Sequence, residues 1–272
     1  MIKVSYIGAK MKKLVLFDMD GTLTPARSKM TWNVIDALSD LQKNNFEIGI
    51  VTGSDLDYIK QQCDLIFDLS PVDCFNIHYL PCNGTKYYKM TANNFDCVYE
   101  NNMRSKVGEK NWRNLIRVIS GLQSTLASNY DIPLTGNFLN YRGSTLNWCP
   151  IGRNANSGDR AAWCEIDDEK KIRSTWLSIA RQALNNIGLN DIIIKFGGDT
   201  SFDIYPNGWD KTYAWKNFKD YDRIYFVGDR CDENGNDREA YLLSGKHGYS
   251  TDGPENTVQI IKKIIEQEAK NG

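Results

Sequence analysis

The sequence predicts an α/β protein: a parallel-sheet core domain whose chain is interrupted by an inserted α+β unit with a mostly antiparallel sheet. Three observations carry this. Buried-strand patterns alternate with amphipathic helical patterns over residues 13–88, as parallel strands linked by covering helices require. From about 106 the order becomes helix, hairpin, helix, hairpin. After residue 207 the first pattern returns. The predicted core is therefore split, residues 1–90 and 207–272, around an insert at 91–206.

Leu14-Val-Leu-Phe17 is a short apolar run that reads as a fully buried strand. It empties into Asp18-Met-Asp20-Gly-Thr-Leu-Thr24. Side chains two apart on extended chain point the same way, so Asp18 and Asp20 can converge on one spot. Like charges there need a hard cation or a shared proton. Gly21 permits a sharp turn and brings an amide close to an anion. This is the chemistry of phosphoryl transfer with a metal and an aspartate nucleophile. Met11 offers an alternative start, which makes residues 1–10 an accessory strand or a loose segment.

Thr31 is placed to cap a helix with Val34, Ile35, Leu38 and Leu41 on one face. Glu47–Val51 reads as the next buried strand, ending in Thr52-Gly-Ser-Asp55, with a short helix through Ile59 and strand-like chain near Phe75–Leu80. In the insert, Trp112, Leu115, Ile116, Ile119, Leu122 and Leu126 recur at helical spacing, and strands at Phe138–Tyr141 and Thr145–Cys149 flank a turn at Arg142-Gly-Ser144. A polar stretch, Asn154–Asp159, precedes a helix at roughly Glu169–Asn186 with a stop at Gly188. Ile192–Phe196 and Ser201–Tyr205 form a second strand pair. A helix after Asp210, a strand at Arg223–Val227 and a helix from Pro254 to Ala269 complete the core.

Composition excludes several classes. A net charge of −1 provides no global field for nucleic acid or an anionic membrane. No apolar run approaches the roughly 18 residues of a membrane span. The first ten residues lack a secretory apolar core, so a cytoplasmic location is expected. The seven cysteines, at 63, 74, 82, 97, 149, 164 and 231, are odd in number and never spaced C-x-x-C. That points to reduced thiols rather than a zinc site or disulfide framework. His78 and His247, the two histidines, lie beside no nucleophile-like motif.

Three further segments extend the chemistry begun at Asp18. Thr52-Gly53-Ser54 offers hydroxyls and amides at a strand end for phosphoryl oxygens. Gly208-Trp-Asp-Lys211 supplies a compact cation suited to sit between carboxylate and phosphate. Tyr225-Phe-Val-Gly-Asp229 delivers another acid at a strand tip, and Gly235-Asn-Asp237 a fourth. Oxygen-rich, nitrogen-poor ligation favours Mg²⁺. In the insert, Arg142, Arg153 and Arg160 offer planar forks for a second phosphate. Ser201 and Asp203 alternate on a strand and share a face, as sugar-hydroxyl binders need.

The string D-x-D-G-T-L-T resembles the first signature of the haloacid-dehalogenase-like phosphotransferases, and Thr52-Gly-Ser, Lys211 and the Asp229…Asp237 pair resemble the other three. Over residues 13–265 the chain resembles the eukaryotic-type phosphomannomutases, through D-M-D-G-T-L-T-P-A-R, P-I-G-R, S-F-D-I-Y-P-N-G-W-D-K and G-D…G-N-D. The resemblance implies a Rossmann-like core with an α+β cap, and Asp18 as nucleophile with Asp20 as acid and base. It implies Mg²⁺ on Asp18, the Asp20 backbone carbonyl and Asp229, with Asp237 close by. It also implies that Arg27, Arg142, Arg153, Arg160, Ser201 and Asp203 touch a sugar phosphate. The implied reaction interconverts mannose 6-phosphate and mannose 1-phosphate, with glucose phosphates as further candidate substrates, primed by a hexose 1,6-bisphosphate. A homodimer through the cap is expected. Where the family usually has G-G-S-D this chain has Thr52-Gly-Ser-Asp55, which leaves Thr52 or Ser54 to hold the phosphoryl group. The alternatives are a sugar-phosphate phosphatase and a non-catalytic phospho-sugar binder.

Overall fold

The computed structural model describes residues 11–68, 70–92, 94–233 and 235–271; the expectation for residues 1–10 lies outside them. The chain forms β1 (Lys13–Phe17), α1 (Trp32–Lys43), β2 (Phe46–Val51), α2 (Leu56–Gln62), β3 (Ile77–Leu80), β4 (Lys86–Met90) and β5 (Phe95–Glu100). Then come α3 (Met103–Val107), α4 (Glu109–Asn129), β6 (Leu139–Tyr141), β7 (Leu146–Trp148), α5 (Ser157–Lys170), α6 (Ile172–Asn186), β8 (Ile192–Gly197) and β9 (Ser201–Pro206). A 3-10 segment (Lys211–Asn217), β10 (Arg223–Gly228), α7 (Arg238–Ser244), β11 (Gly248–Ser250) and α8 (Pro254–Asn271) close the fold.

The larger sheet runs β11-β10-β1-β2-β3-β4-β5. Its first five strands are parallel and β4 and β5 are antiparallel. β1 is central, and its alternation divides the core. Val15 and Phe17 pack under α1 and α8, with Leu38, Leu41, Ile261 and Ile264. Leu14 and Leu16 pack on the other face with Ala214, Phe218 and Ala240. All four β1 residues are fully buried, each contributing roughly 1.5–3 kcal/mol of transfer free energy. Because β1, β2 and β10 run parallel, their C-terminal ends share one edge. The chain leaves β1 toward β2 on one side and returns through β10 on the other, the topology that opens a crevice at such an edge.

The smaller sheet, β6-β7-β9-β8, is antiparallel. Its inner face, with Trp148, Phe202 and Ile204, packs against Leu115, Ile119, Trp163 and Trp176 of α4, α5 and α6. Several expectations are corrected here. The larger sheet continues through β5, past the boundary drawn at residue 90, because β4 and β5 pair as a hairpin on its edge. Asn154–Asp159 is not merely a polar stretch: Asn156 and Asp159 form a reciprocal capping box that starts α5. Lys171, in the left-handed conformation, separates α5 from α6. Thr31 precedes α1 but its side chain makes no capping bond. The helix after Asp210 is a 3-10 segment, capped by Asp210. All seven cysteines are free, and no described helix is long and apolar enough to cross a membrane.

One buried polar network supports the sheet away from the crevice. Glu47 Oε2 accepts from His78 Nε2 at 2.8 Å and from the Tyr221 hydroxyl at 2.6 Å. A carboxylate only accepts, so Nε2 carries the proton. Burial lowers the His78 pKa and keeps the ring neutral. Nδ1 therefore accepts from the Tyr87 hydroxyl, 2.7 Å away. The hydrogen bond from His78 outweighs burial and holds Glu47 down to about 2 from 4.5. A depressed carboxyl pKa stabilises the fold above 4.5 and loses that stabilisation as pH falls toward 2. Glu47→Gln is expected to cost no more than about 1 kcal/mol at neutral pH, given the half-exposed carboxylate. The gap from wild type in urea midpoint should close as pH falls from 6 toward 3; a gap constant across that range would refute the assignment.

Candidate active site

Asp18 leaves β1 at its C-terminal end, its amide bonded to the Val227 carbonyl of β10 at 2.9 Å. Asp229 follows β10, and Asp237 returns from the loop before α7. Oxygen atoms of these three carboxylates lie within 4.8 Å of one another. Lys211 enters from the start of the 3-10 segment and donates to both Asp18 and Asp237. Lys211 and Asp237 are essentially inaccessible, and Asp18 is 5% exposed.

The charges do not balance: three carboxylates meet one buried ammonium, and the part-exposed Arg230 guanidinium, 3.7 Å from Asp229, is shared with Asp199. Burial raises the Asp18 pKa well above its usual range, against the pull of Lys211. Burial, then repulsion from Asp237, raises Asp229 to about 6. Burial alone would lower Lys211, but the charges of Asp18 and Asp237 hold it above its ordinary value. An all-oxygen donor set with excess buried negative charge fits a hard divalent cation, Mg²⁺ above all. Gly21 is shaped around this cluster. It has φ +82°, and a Cβ there would meet Asp229 Oδ2 at 2.4 Å. Any side chain at position 21 would displace a carboxylate.

The Asp20 carboxylate stands apart from the trio. Its Oδ1 accepts from the Arg27 amide at 3.0 Å and the Tyr58 hydroxyl at 3.1 Å. Arg27 adopts φ 58°, which turns its amide inward after Thr24-Pro-Ala. Thr52, after β2, is buried, and its Oγ1 accepts from the Ser54 amide at 3.2 Å. Thr52 and Ser54 both line the crevice.

The smaller sheet covers this edge and encloses a cleft of about 260 Å³. Asp18, Asp20, Asp229, Arg27, Thr52 and Ser54 form its core wall; Arg142, Arg153, Arg160 and Asp203 face them from the insert. Arg142 Nη1 crosses to the Gly53 carbonyl at 2.7 Å. Arg160 is held by Nε to the Ala155 carbonyl and by Nη1 to Thr200 Oγ1 at 2.8 Å. Its Nη2 is buried without a hydrogen-bond partner among the described residues, a donor pre-set for an anion. Burial first, then the charges of Arg142 and Arg27, lowers the Arg153 pKa, so these guanidiniums crowd one another as an anion-binding cluster does.

Ser201 lies on the same face of β9 as Asp203. It is 1% exposed and not among the residues that line the cleft, where its neighbour Thr200 stands instead. Tyr58, Asn147, Asp199 and Arg230 also line the cleft and were not singled out in the sequence. Arg230, next to Asp229, reaches Asp199 of the insert at 2.5 Å. Its place directly after a strand-tip acid was the one signal that could have found it.

Comparison with known proteins agrees with this geometry. The family described as eukaryotic phosphomannomutase matches residues 34–267. A phosphomannomutase of Schizosaccharomyces pombe is 33% identical over 257 residues, covering 93% of this chain and 95% of its own length. Phosphomannomutase 1 of Dictyostelium discoideum is 35% identical over 231 residues, 83% of this chain and 85% of its own. Among solved structures, an IMP-bound IMP-nucleotidase mutant from Plasmodium falciparum superposes with TM-score 0.68 at 14% identity, covering 94% of this chain and 68% of that one. A trehalose-6-phosphate phosphatase related protein superposes with TM-score 0.53 at 17% identity, over 96% of this chain and all of its own; these likenesses show the fold alone. The carboxylate cluster, the arginine-lined insert and the sequence match together place the chain among the eukaryotic phosphomannomutases, a family of isomerase enzymes.

Proposed function

We propose that this enzyme interconverts mannose 6-phosphate and mannose 1-phosphate, primed by a hexose 1,6-bisphosphate. The observation that supports this most is the two-poled cleft. Acids of the core and Arg142, Arg153 and Arg160 of the insert line one space from opposite walls. A bisphosphate intermediate carries a charge near −4 at neutral pH (~2 per phosphate) and needs a cationic cradle remote from the nucleophile.

In this mechanism a carboxylate oxygen of Asp18 attacks one phosphorus of the bisphosphate, and the bond to that sugar oxygen breaks, leaving a hexose monophosphate. Asp20 donates the proton to that leaving oxygen. The phosphoryl group then passes from Asp18 to the free hydroxyl of a hexose monophosphate bound in the opposite orientation, re-forming the bisphosphate, and Asp20 takes that hydroxyl's proton. The bonds to Asp20 Oδ1 from Arg27 and Tyr58 leave Oδ2 to face the substrate. Lys211 offsets charge on Asp18 and on the transferring group. Asp18, Asp229 and Asp237, with the Asp20 main-chain carbonyl, would hold Mg²⁺, which when bound supplies neutralising charge to the phosphoryl oxygens. Either hydroxyl of Thr52 or Ser54 supplies a donor to the same oxygens. Closure of the insert excludes water that would hydrolyse the phosphorylated aspartate. A cytoplasmic homodimer joined through the insert completes the reading; Trp112 on α4 lies against Tyr141 of the edge strand β6, ring centres 4.5 Å apart.

A coupled assay on mannose 1-phosphate, with and without added bisphosphate, should show isomer exchange that depends on the bisphosphate. Free phosphate release without exchange would make the enzyme a phosphatase instead. Asp18→Asn should lower turnover by on the order of 10⁴-fold or more while calorimetry still detects hexose phosphate binding; undiminished turnover would remove Asp18 from the nucleophile's role. Arg160→Ala is expected to raise KM about 10- to 100-fold, from the loss of charge-assisted hydrogen bonds, and an unchanged KM would exclude Arg160 from the phosphate cradle.

A further inference from the structure

The cleft-facing side of the smaller sheet carries a polar rung across all four strands. Asn140 of β6 pairs in register with Asn147 of β7, Asn147 with Asp203 of β9, and Asp203 with Lys195 of β8. The flanking positions, Leu146 and Trp148, point the other way into the core of the insert. Asn147 is the most enclosed member that lines the cleft, 2% exposed. Its Nδ2 donates to Asp203 Oδ1 at 2.7 Å, with a longer contact to the Phe202 carbonyl at 3.4 Å.

That bond fixes the amide's orientation, because a carboxylate has no proton to give at neutral pH and only the NH₂ end can face it. The carbonyl end, Oδ1, is then left buried with no hydrogen-bond partner among the described residues. Buried acceptors are normally paired, so an unpaired one at a ligand cleft marks the place of a donor. Asp203 sits beside it, oriented by the Asn147 amide, with Arg142 Nη1 3.9 Å away. The bare Gly197 leaves room for this carboxylate; a Cβ there would lie 2.8 Å from it. Two adjacent acceptors match two adjacent O–H donors.

We infer that Asn147 is a specificity-determining residue whose carbonyl oxygen accepts a hydrogen bond from a ring hydroxyl of the sugar, next to the hydroxyl taken by Asp203. The inference rests on the reading of the cleft as a hexose-phosphate site. It assigns Asn147 two tasks: Nδ2 positions the Asp203 carboxylate, and Oδ1 touches the substrate. A row of acceptors complements hydroxyls, while the arginines at the cleft wall complement phosphate oxygens. Ring and phosphate are thereby sorted to different parts of the insert.

The test measures binding by calorimetry with the full chain, wild type against Asn147→Ala and the near-isosteric Asn147→Leu. The probes are mannose 1-phosphate, its single-deoxy derivatives and inorganic phosphate. Both variants should bind mannose 1-phosphate about tenfold more weakly and bind inorganic phosphate as the wild type does. One deoxy derivative should bind wild type and variants alike, because it lacks the hydroxyl that Asn147 reads. Deoxy losses of equal size in all three proteins would overturn the inference. So would unchanged affinity in both variants, equal weakening of phosphate and sugar phosphate, or no hexose phosphate binding by wild type. A mutase assay on the same wild-type sample separates the two readings. Coupling without turnover retains Asn147 and removes the mutase activity; turnover without coupling does the reverse.

Discussion

The structure depends on a charge imbalance at the C-terminal edge of the larger sheet. Asp18, Asp229 and Asp237 are brought together with the buried Lys211 to offset them and the part-exposed Arg230, itself shared with Asp199, 3.7 Å from Asp229. Burying such a set is unfavourable by several kcal/mol per ion unless each charge is matched. Two of the acids are accordingly pushed toward their protonated forms. The same imbalance makes the site receptive to a divalent cation and to the displacement of charge that phosphoryl transfer entails. The architecture follows from the need to converge these groups. Asp18 and Lys211 are 193 residues apart in the chain, and only parallel strands with a shared C-terminal edge, followed by a return from the insert, bring them into contact.

On the proposed reading, chemistry and recognition are divided between the core and the insert. The acids stand on strand ends packed from both faces, where a small displacement would disturb the whole core. The arginines stand on the β6–β7 turn, the loop after β7 and α5, and the polar rung on the smaller sheet, all within an insert that has a hydrophobic core of its own. Polar contacts join the two, among them Arg142 to Gly53, Arg230 to Asp199, Lys195 to Glu239, and Thr85 to Ser144. Interfaces of this kind permit relative motion, which the proposed substrate, with phosphates at both ends, would need for entry, reversal and release.

Much of this was legible in the sequence, for a physical reason. Leu14–Phe17 and Arg223–Val227 are buried on both faces, so their apolar runs announce them, and the acids that follow are conspicuous because a buried strand rarely ends in a cluster of charge. The β4–β5 hairpin was not legible: it lies at the sheet edge, half-exposed, and its mixed pattern carries no clear period. α5 was missed because its start is polar, although the capping box of Asn156 and Asp159 is a local signal that names a helix start. Tyr58, Asn147, Asp199 and Arg230 were invisible for a deeper reason. Nothing local distinguishes them; each matters through a partner far away in sequence, Asp20, Asp203 or one another.

Hydrogen-bond direction carries the reading further than position does. An inventory of polar residues around the cleft treats Asn147, Asp203 and Arg160 alike. Once donors and acceptors are assigned, they separate: Arg160 Nη2 has a proton and no acceptor, while Asn147 Oδ1 has lone pairs and no donor. Each is a buried group whose native partners leave part of its capacity unfilled. A phosphate, which only accepts when fully ionised, satisfies the first and would be repelled at the second beside the Asp203 carboxylate. A hydroxyl satisfies the second. The unfilled valences therefore define a ligand that is anionic at one end and hydroxylated along its middle, and they orient it against the insert without reference to the acids where bonds are made.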